Sequence, residues 1–177
     1  MGFMDTLLGR TKPVPPNLDQ LFALPSAAIT LRAATDFVPT GVGSVCFRAV
    51  EGKAFSDIEK DVTELLSMGE NKTPVKLSAD SYGFTWIVVT HSADDIEGLV
   101  TDLHAVNSSL EGAGFGPQLL CTILAFRDAS APCGLVYLYK RGTFYPFAPR
   151  PGERRDNATE LRVKGVLADD LKIEPDL

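Results

Sequence analysis

Two histidines and three cysteines are the side chains of this sequence best suited to nucleophilic, redox or metal chemistry. His91 falls at a strand-to-helix junction and His104 within a helical stretch. A Cys–His nucleophilic pair needs an imidazole within hydrogen-bond reach of a thiol and an oxyanion site beside them. A pocket uniting His91 with Cys121, or with the loop from Arg150 to Arg155, would make the chain a small hydrolase or ligand-binding enzyme. The spacing alone does not assemble that pocket, and two isolated histidines favour surface or satisfied core positions. Cys46, Cys121 and Cys133 contain no CxxC pair, so buried small hydrophobes are the expectation, without metal or redox roles. Cys121 and Cys133 occupy neighbouring predicted strands, but a turn near Ser130 leaves them about five positions out of register. That offset is roughly 17 Å at strand rise, too far for a disulfide.

The remaining motif candidates have structural explanations. Gly112-Ala113-Gly114-Phe115-Gly116 closes a helix and enters a strand, the reverse of a dinucleotide-binding turn, and Gly41-Val42-Gly43 lacks the Lys-Ser/Thr ending of a phosphate loop. Asp94, Asp95 and Glu97 lie where a helix begins, and negative charge there is accounted for by the exposed amides and the helix dipole. No cofactor is implied. Trp86 reads as a packed strand aromatic.

Charge and aromatics suggest contact with another molecule. The chain carries 17 Lys and Arg against 23 Asp and Glu, a net charge of −6, which opposes binding to nucleic acid. The acids concentrate between Glu51 and Glu70 and between Ala93 and Glu111; bases concentrate between Arg141 and Lys164. Phe144, Tyr145 and Phe147, followed by Arg150, Arg154 and Arg155, form an aromatic-basic run suited to a protein–protein contact with electrostatic steering. A second candidate contact is the N-terminal tip, where Phe3, Leu7 and Leu8 share one helical face and would meet a partner or a membrane surface. Lys12-Pro13-Val14-Pro15-Pro16 cannot continue that helix.

The elements that would position these residues follow from periodicity. Residues 1–16 read as an amphipathic tip and proline-rich spacer, and 17–177 as a single α+β domain. Asn17–Leu24 reads as a short helix ended near Pro25, Ala27–Ala34 as a strand, and Pro39–Gly43 as a turn before a strand over Ser44–Val50. Phe55, Ile58, Val62, Leu65 and Leu66 make an amphipathic helix between Gly52 and Gly69. Val75–Ala79 and Phe84–Thr90 form a hairpin around Asp80–Gly83. Ser92–Asp95 resembles a capping box ahead of a helix bearing Ile96, Leu99, Val100, Leu103 and Leu110. Leu119–Phe126 pairs with Gly134–Lys140, and Asp156 caps a closing helix carrying Leu161, Val166 and Leu167. Paired strands between helices predict a two-layer α+β sandwich, mainly antiparallel, with amphipathic helices packed largely on one face. No apolar run approaches the roughly 18 residues of a membrane span, and no secretory signal is evident, so a cytoplasmic location, with membrane-peripheral contact through the tip, is expected.

Met1-Gly2-Phe3 through Leu8-Gly9-Arg10, Leu24–Leu31, Gly41–Phe47, Phe144-Tyr145-Pro146-Phe147-Ala148-Pro149 and Arg155–Leu161 together resemble the PspAB family of PspA-associated proteins. The resemblance implies an accessory protein of a phage-shock type of envelope-stress response. It further implies a non-enzymatic adaptor whose partner is PspA or an HtpX-like membrane protease system. A chaperone-like dimeric binding domain, presenting an apolar groove to a partner segment, is a third reading of the same fold.

Overall fold

The computed structural model describes residues 16–48, 53–68 and 74–175, the side chains of 53–55 aside. Six antiparallel strands form one sheet: β1 (Val38–Arg48), β2 (Val75–Ala79), β3 (Phe84–Thr90), β4 (Leu119–Arg127), β5 (Pro132–Leu138) and β6 (Thr143–Phe147), in the spatial order β2-β3-β1-β4-β5-β6. A short ribbon pairs β7 (Pro149–Arg150) with β8 (Arg154–Arg155). Among the described residues there are four α-helices, α1 (Leu24–Ala34), α2 (Lys53–Ser67), α3 (Ile96–Leu110) and α4 (Asn157–Val166). This is the expected α+β sandwich.

The two sheet faces differ sharply. One carries Gly43, Val45 and Phe47 of β1, Ile87 and Val89 of β3, Leu124 and Phe126 of β4, Leu135 and Tyr137 of β5, and Phe144 of β6. Apart from Gly43, these join Leu24 and Leu31 of α1, Val62 of α2, Leu99 and Leu103 of α3 and Val163 of α4 in one hydrophobic cluster. Gly43 is what lets α3 approach, because a Cβ there would stand 2.6 Å from Leu103 Cδ1. Asn107 on α3 is buried yet satisfied: its Nδ2 donates to the Leu103 carbonyl at 2.8 Å and to Thr122 Oγ1 at 2.9 Å, as a buried amide requires. Every described α-helix contributes to the cluster on this side.

Several local expectations need correction. Pro25 begins α1 instead of ending the preceding turn; at the first helical positions its missing N–H costs nothing. Leu18–Ala23 is a 3-10 turn that runs straight into that helix. Ala27–Ala34 is thus helical, with Ala27, Ala28 and Leu31 buried and Ile29 in solvent. β1 starts at Val38, so Pro39–Gly43 lies within a strand and not in a turn. Its pairing with β4 shifts register between Pro39 and Gly43, and Gly41, at φ +76°, absorbs the irregularity. Asp95, not Ser92, caps α3, accepting from the Gly98 amide at 3.0 Å. The aromatic run after Gly142 is a strand, β6. Its outer edge is bridged by the C-terminal segment, with Phe144 N–H donating to Lys172 O at 2.8 Å and Glu174 N–H to Phe144 O at 2.7 Å.

Candidate docking surface

Strand alternation sends the other half of the side chains to the second sheet face. Register places them in rows: Trp86, Cys46, Cys121 and Leu138 across β3, β1, β4 and β5, then Val88, Ser44, Ile123, Val136 and Tyr145 continuing onto β6. A third row brings Ala125 and Gly134 to Phe147. Cys46 and Val136 are buried by these neighbours but stand apart from the helix-side cluster. The face is thus a broad, largely apolar ladder of cross-strand contacts. Trp86 is fixed in it by a hydrogen bond from its indole N–H to Asp80 Oδ2 at 2.9 Å, while Asp80 Oδ1 holds the turn amides of Tyr82 and Phe84. Those donors keep the Asp80 carboxyl below its usual range.

At the β6 edge the ladder ends in an aromatic-arginine corner. The Arg155 guanidinium carbon lies 5.7 Å from the Tyr145 ring centre and 5.4 Å from that of Phe147, within cation–π range of both. Arg155 reaches this position because its Nε donates at 2.9 Å to Glu160 Oε1, which also accepts the Ala148 amide at 2.8 Å. The bond to Glu160 holds the Arg155 pKa above its usual value, and burial pushes the Tyr145 phenol up. A cavity of about 290 Å³ opens beside the stack, lined by Tyr145, Pro146, Arg155, Asn157, Glu160, Leu161 and Lys164. Arg150 is anchored by Asp156, whose carboxyl falls to about 2 chiefly through that contact. Arg154 is exposed.

Of the residues singled out for partner contact, Tyr145, Phe147 and Arg155 converge, with Arg150 and Arg154 on the adjoining ribbon. Phe144 does not join them. It is 1% exposed, faces the helices and packs against Tyr137 with ring centres 5.0 Å apart, because its neighbours on the strand take the other face. Phe3, Leu7 and Leu8 lie outside the described residues. The sequence reading also missed the wider second face, whose apolar rows come from five strands spread along the chain.

His91 and Cys121 do not form a pocket. His91 lies on the helix side, with Nδ1 2.8 Å from Asp95 Oδ2 and Nε2 2.8 Å from Asp102 Oδ2 on α3. Cys121 alternates with Thr122, which faces α3, and so occupies the opposite side of the sheet. Burial opposes charge on His91, yet the hydrogen bonds to the two carboxylates prevail and raise its pKa. His104 contacts Asp19 at 3.3 Å and stacks at 4.7 Å on Phe22. Cys121 and Cys133 are five positions out of register, as expected, since Cys121 pairs with Leu138 and Phe126 with Cys133. Among the described residues no group of three or more His, Cys, Asp or Glu side chains could hold a metal ion, and no helix is long and apolar enough to cross a membrane.

The model of one protein family, described as PspA associated protein B, matches residues 1–177. No curated protein and no solved structure matches the chain.

Proposed function

The chain belongs to the PspAB family of PspA-associated proteins, and from that membership we infer that it is a non-enzymatic accessory protein of a PspA-type envelope-stress response, acting by protein–protein contact. The observation that carries the docking reading is the corner where Arg155 spans Tyr145 and Phe147 at the rim of the apolar second face. Aromatic and arginine side chains dominate the energetics of protein contacts because they bring large, rigid area with a polar handle. The exposed Arg154 and the Arg150–Asp156 pair give the rim a basic edge that would steer an acidic partner surface.

PspA is the partner this reading favours. The test is binding of the purified full chain to purified PspA from the same cell, with Tyr145→Ala and Arg154→Glu variants whose folding is checked by circular dichroism. Loss of one aromatic anchor is expected to weaken binding about tenfold or more, since a hot-spot truncation costs about 2 kcal/mol. Arg154→Glu is expected to slow association and flatten its salt dependence. Unchanged affinity in both variants, or no binding to PspA alongside clear binding to an HtpX-like protease or to anionic vesicles, would overturn the assignment.

A further inference from the structure

The second sheet face holds a chemical pair that the docking reading does not use. Cys46 on β1 and Cys121 on β4 are direct register partners in an antiparallel pair, so their side chains project from the same face. Cα atoms of such partners lie roughly 4.5–5.5 Å apart, inside the span of roughly 4.4–6.8 Å that a disulfide bridges without backbone movement. Both are free thiols, and each shifts the other's pKa. Cys46 is 3% exposed, whereas Cys121 is partly open. Cys133, by contrast, faces the helix-side core at 1% exposure.

We propose that Cys46 and Cys121 form a redox-active dithiol that closes reversibly to an intrachain cross-strand disulfide on exposure to a peroxide. The partly open Cys121 is the attacking thiolate. Its sulfur takes the terminal oxygen of the peroxide as the O–O bond breaks, giving a sulfenic acid and, after protonation, one water. The Cys46 sulfur then displaces the sulfenic hydroxyl, forming the S–S bond and releasing a second water. In sum, two thiols and one hydrogen peroxide yield one disulfide and two waters, the sulfurs being oxidised and the peroxide reduced. The thiol pKa pattern suits these roles: interaction with Cys46 lowers Cys121, while interaction with Cys121 and burial raise Cys46. Burial, reinforced by the negative charge of Glu160, pushes Cys133 up to about 12, which leaves it inert.

Trypsin separates the three cysteines cleanly, since cleavage after Arg32, Arg48, Lys76, Arg127 and Lys140 puts Cys46 in 33–48, Cys121 in 77–127 and Cys133 in 128–140. The folded full chain is treated with hydrogen peroxide at a few molar equivalents, alkylated, and mapped without reduction. The expected product has lost two hydrogen masses, links 33–48 to 77–127, keeps Cys133 alkylatable after unfolding, and reverts with dithiothreitol. Before oxidation, Cys121 in the folded chain should react with iodoacetamide at least about a hundredfold faster than Cys133. Cys133→Ser should leave the bridge intact, and Cys46→Ser should trap a sulfenic acid on Cys121 that dimedone captures. Three free thiols after treatment, over-oxidised Cys121 with Cys46 still reduced in the native chain, or a link involving Cys133 would each overturn the proposal.

Discussion

Replacing His91 tests how the sheet and α3 are joined. The two ring nitrogens face Asp95 and Asp102, each at 2.8 Å. An ionised carboxylate only accepts, so both contacts are hydrogen bonds together only when the ring carries both protons. The geometry therefore selects the imidazolium. His91 is 9% exposed, Asp102 25% and Asp95 45%, so the pair to Asp102 is the better shielded. A charge-assisted hydrogen bond contributes about 1.5–3 kcal/mol, and solvent at Asp95 screens much of the second one. His91→Gln, which keeps a donor but loses the charge, should cost about 2–3 kcal/mol. For a chain of this length that lowers Tm by roughly 5–10 °C.

The pH dependence supplies the sharper check. A group whose folded pKa is raised binds its proton more tightly when folded, so its stabilising contribution is complete below the unfolded value, near 6.5 for histidine. That contribution is lost as pH rises through the folded pKa, which the two carboxylates hold above 6.5. Asp95 works in the opposite direction. Its pKa is lowered by His91 and by the Gly98 amide, so its contribution is lost as pH falls through its depressed value. Thermal melts followed by circular dichroism from pH 5 to pH 9 should show wild-type Tm falling on the alkaline side, with a smaller slope in His91→Gln. Parallel curves for the two proteins, or a wild-type Tm that rises over that range, would refute the imidazolium clamp.

Phe144→Ala should destabilise by about 3–5 kcal/mol, because it empties a fully buried site against Tyr137, while Phe147→Ala should cost only about 1 kcal/mol from its stack with Arg155; urea unfolding of the two variants distinguishes them. Glu174→Ala should cost about 2–4 kcal/mol, since this buried carboxylate accepts from Thr143 and from Arg141 at 2.8 Å and anchors the C-terminal segment on β6; hydrogen exchange should show the Phe144 amide losing protection. Gly41→Ala should destabilise by at least about 1 kcal/mol, because the position has positive φ and the added Cβ would fall 2.3 Å from His91 O; the same urea titration reads it.

What the sequence disclosed depended on whether the decisive interaction was local. The apolar spacing of Ile58, Val62 and Leu66 defines α2, the turn chemistry of Asp80–Gly83 defines the β2–β3 hairpin, and Asp156 marks the start of α4 by accepting from the Thr159 amide. Proline carried the opposite meanings of stop and start at Pro25, and only the continuation of Ala27, Ala28 and Leu31 into the core decides between them. Gly41 and Gly43 read as a turn because glycine is the usual turn residue. Here they serve close approach, one to the His91 backbone and the other to Leu103. The Cys46–Cys121 pair had no local signature at all. It arises because β1 threads between β3 and β4, which sequence spacing does not encode.

The docking corner and the closing helix are built from one group. Glu160 is 8% exposed, and one of its oxygens accepts both the Ala148 amide just after β6 and the Arg155 Nε. The first bond ties α4 to the sheet edge; the second holds a guanidinium over Tyr145 and Phe147. Without Glu160, Arg155 would have no buried anion to fix it and would gain rotamer freedom in water, so the stack would have to be re-formed at an entropic cost each time a partner bound. Pre-organisation of the corner is thus a consequence of the way the last helix packs. Surface changes at Arg154 should alter association alone, whereas changes at Glu160 must alter stability and docking together.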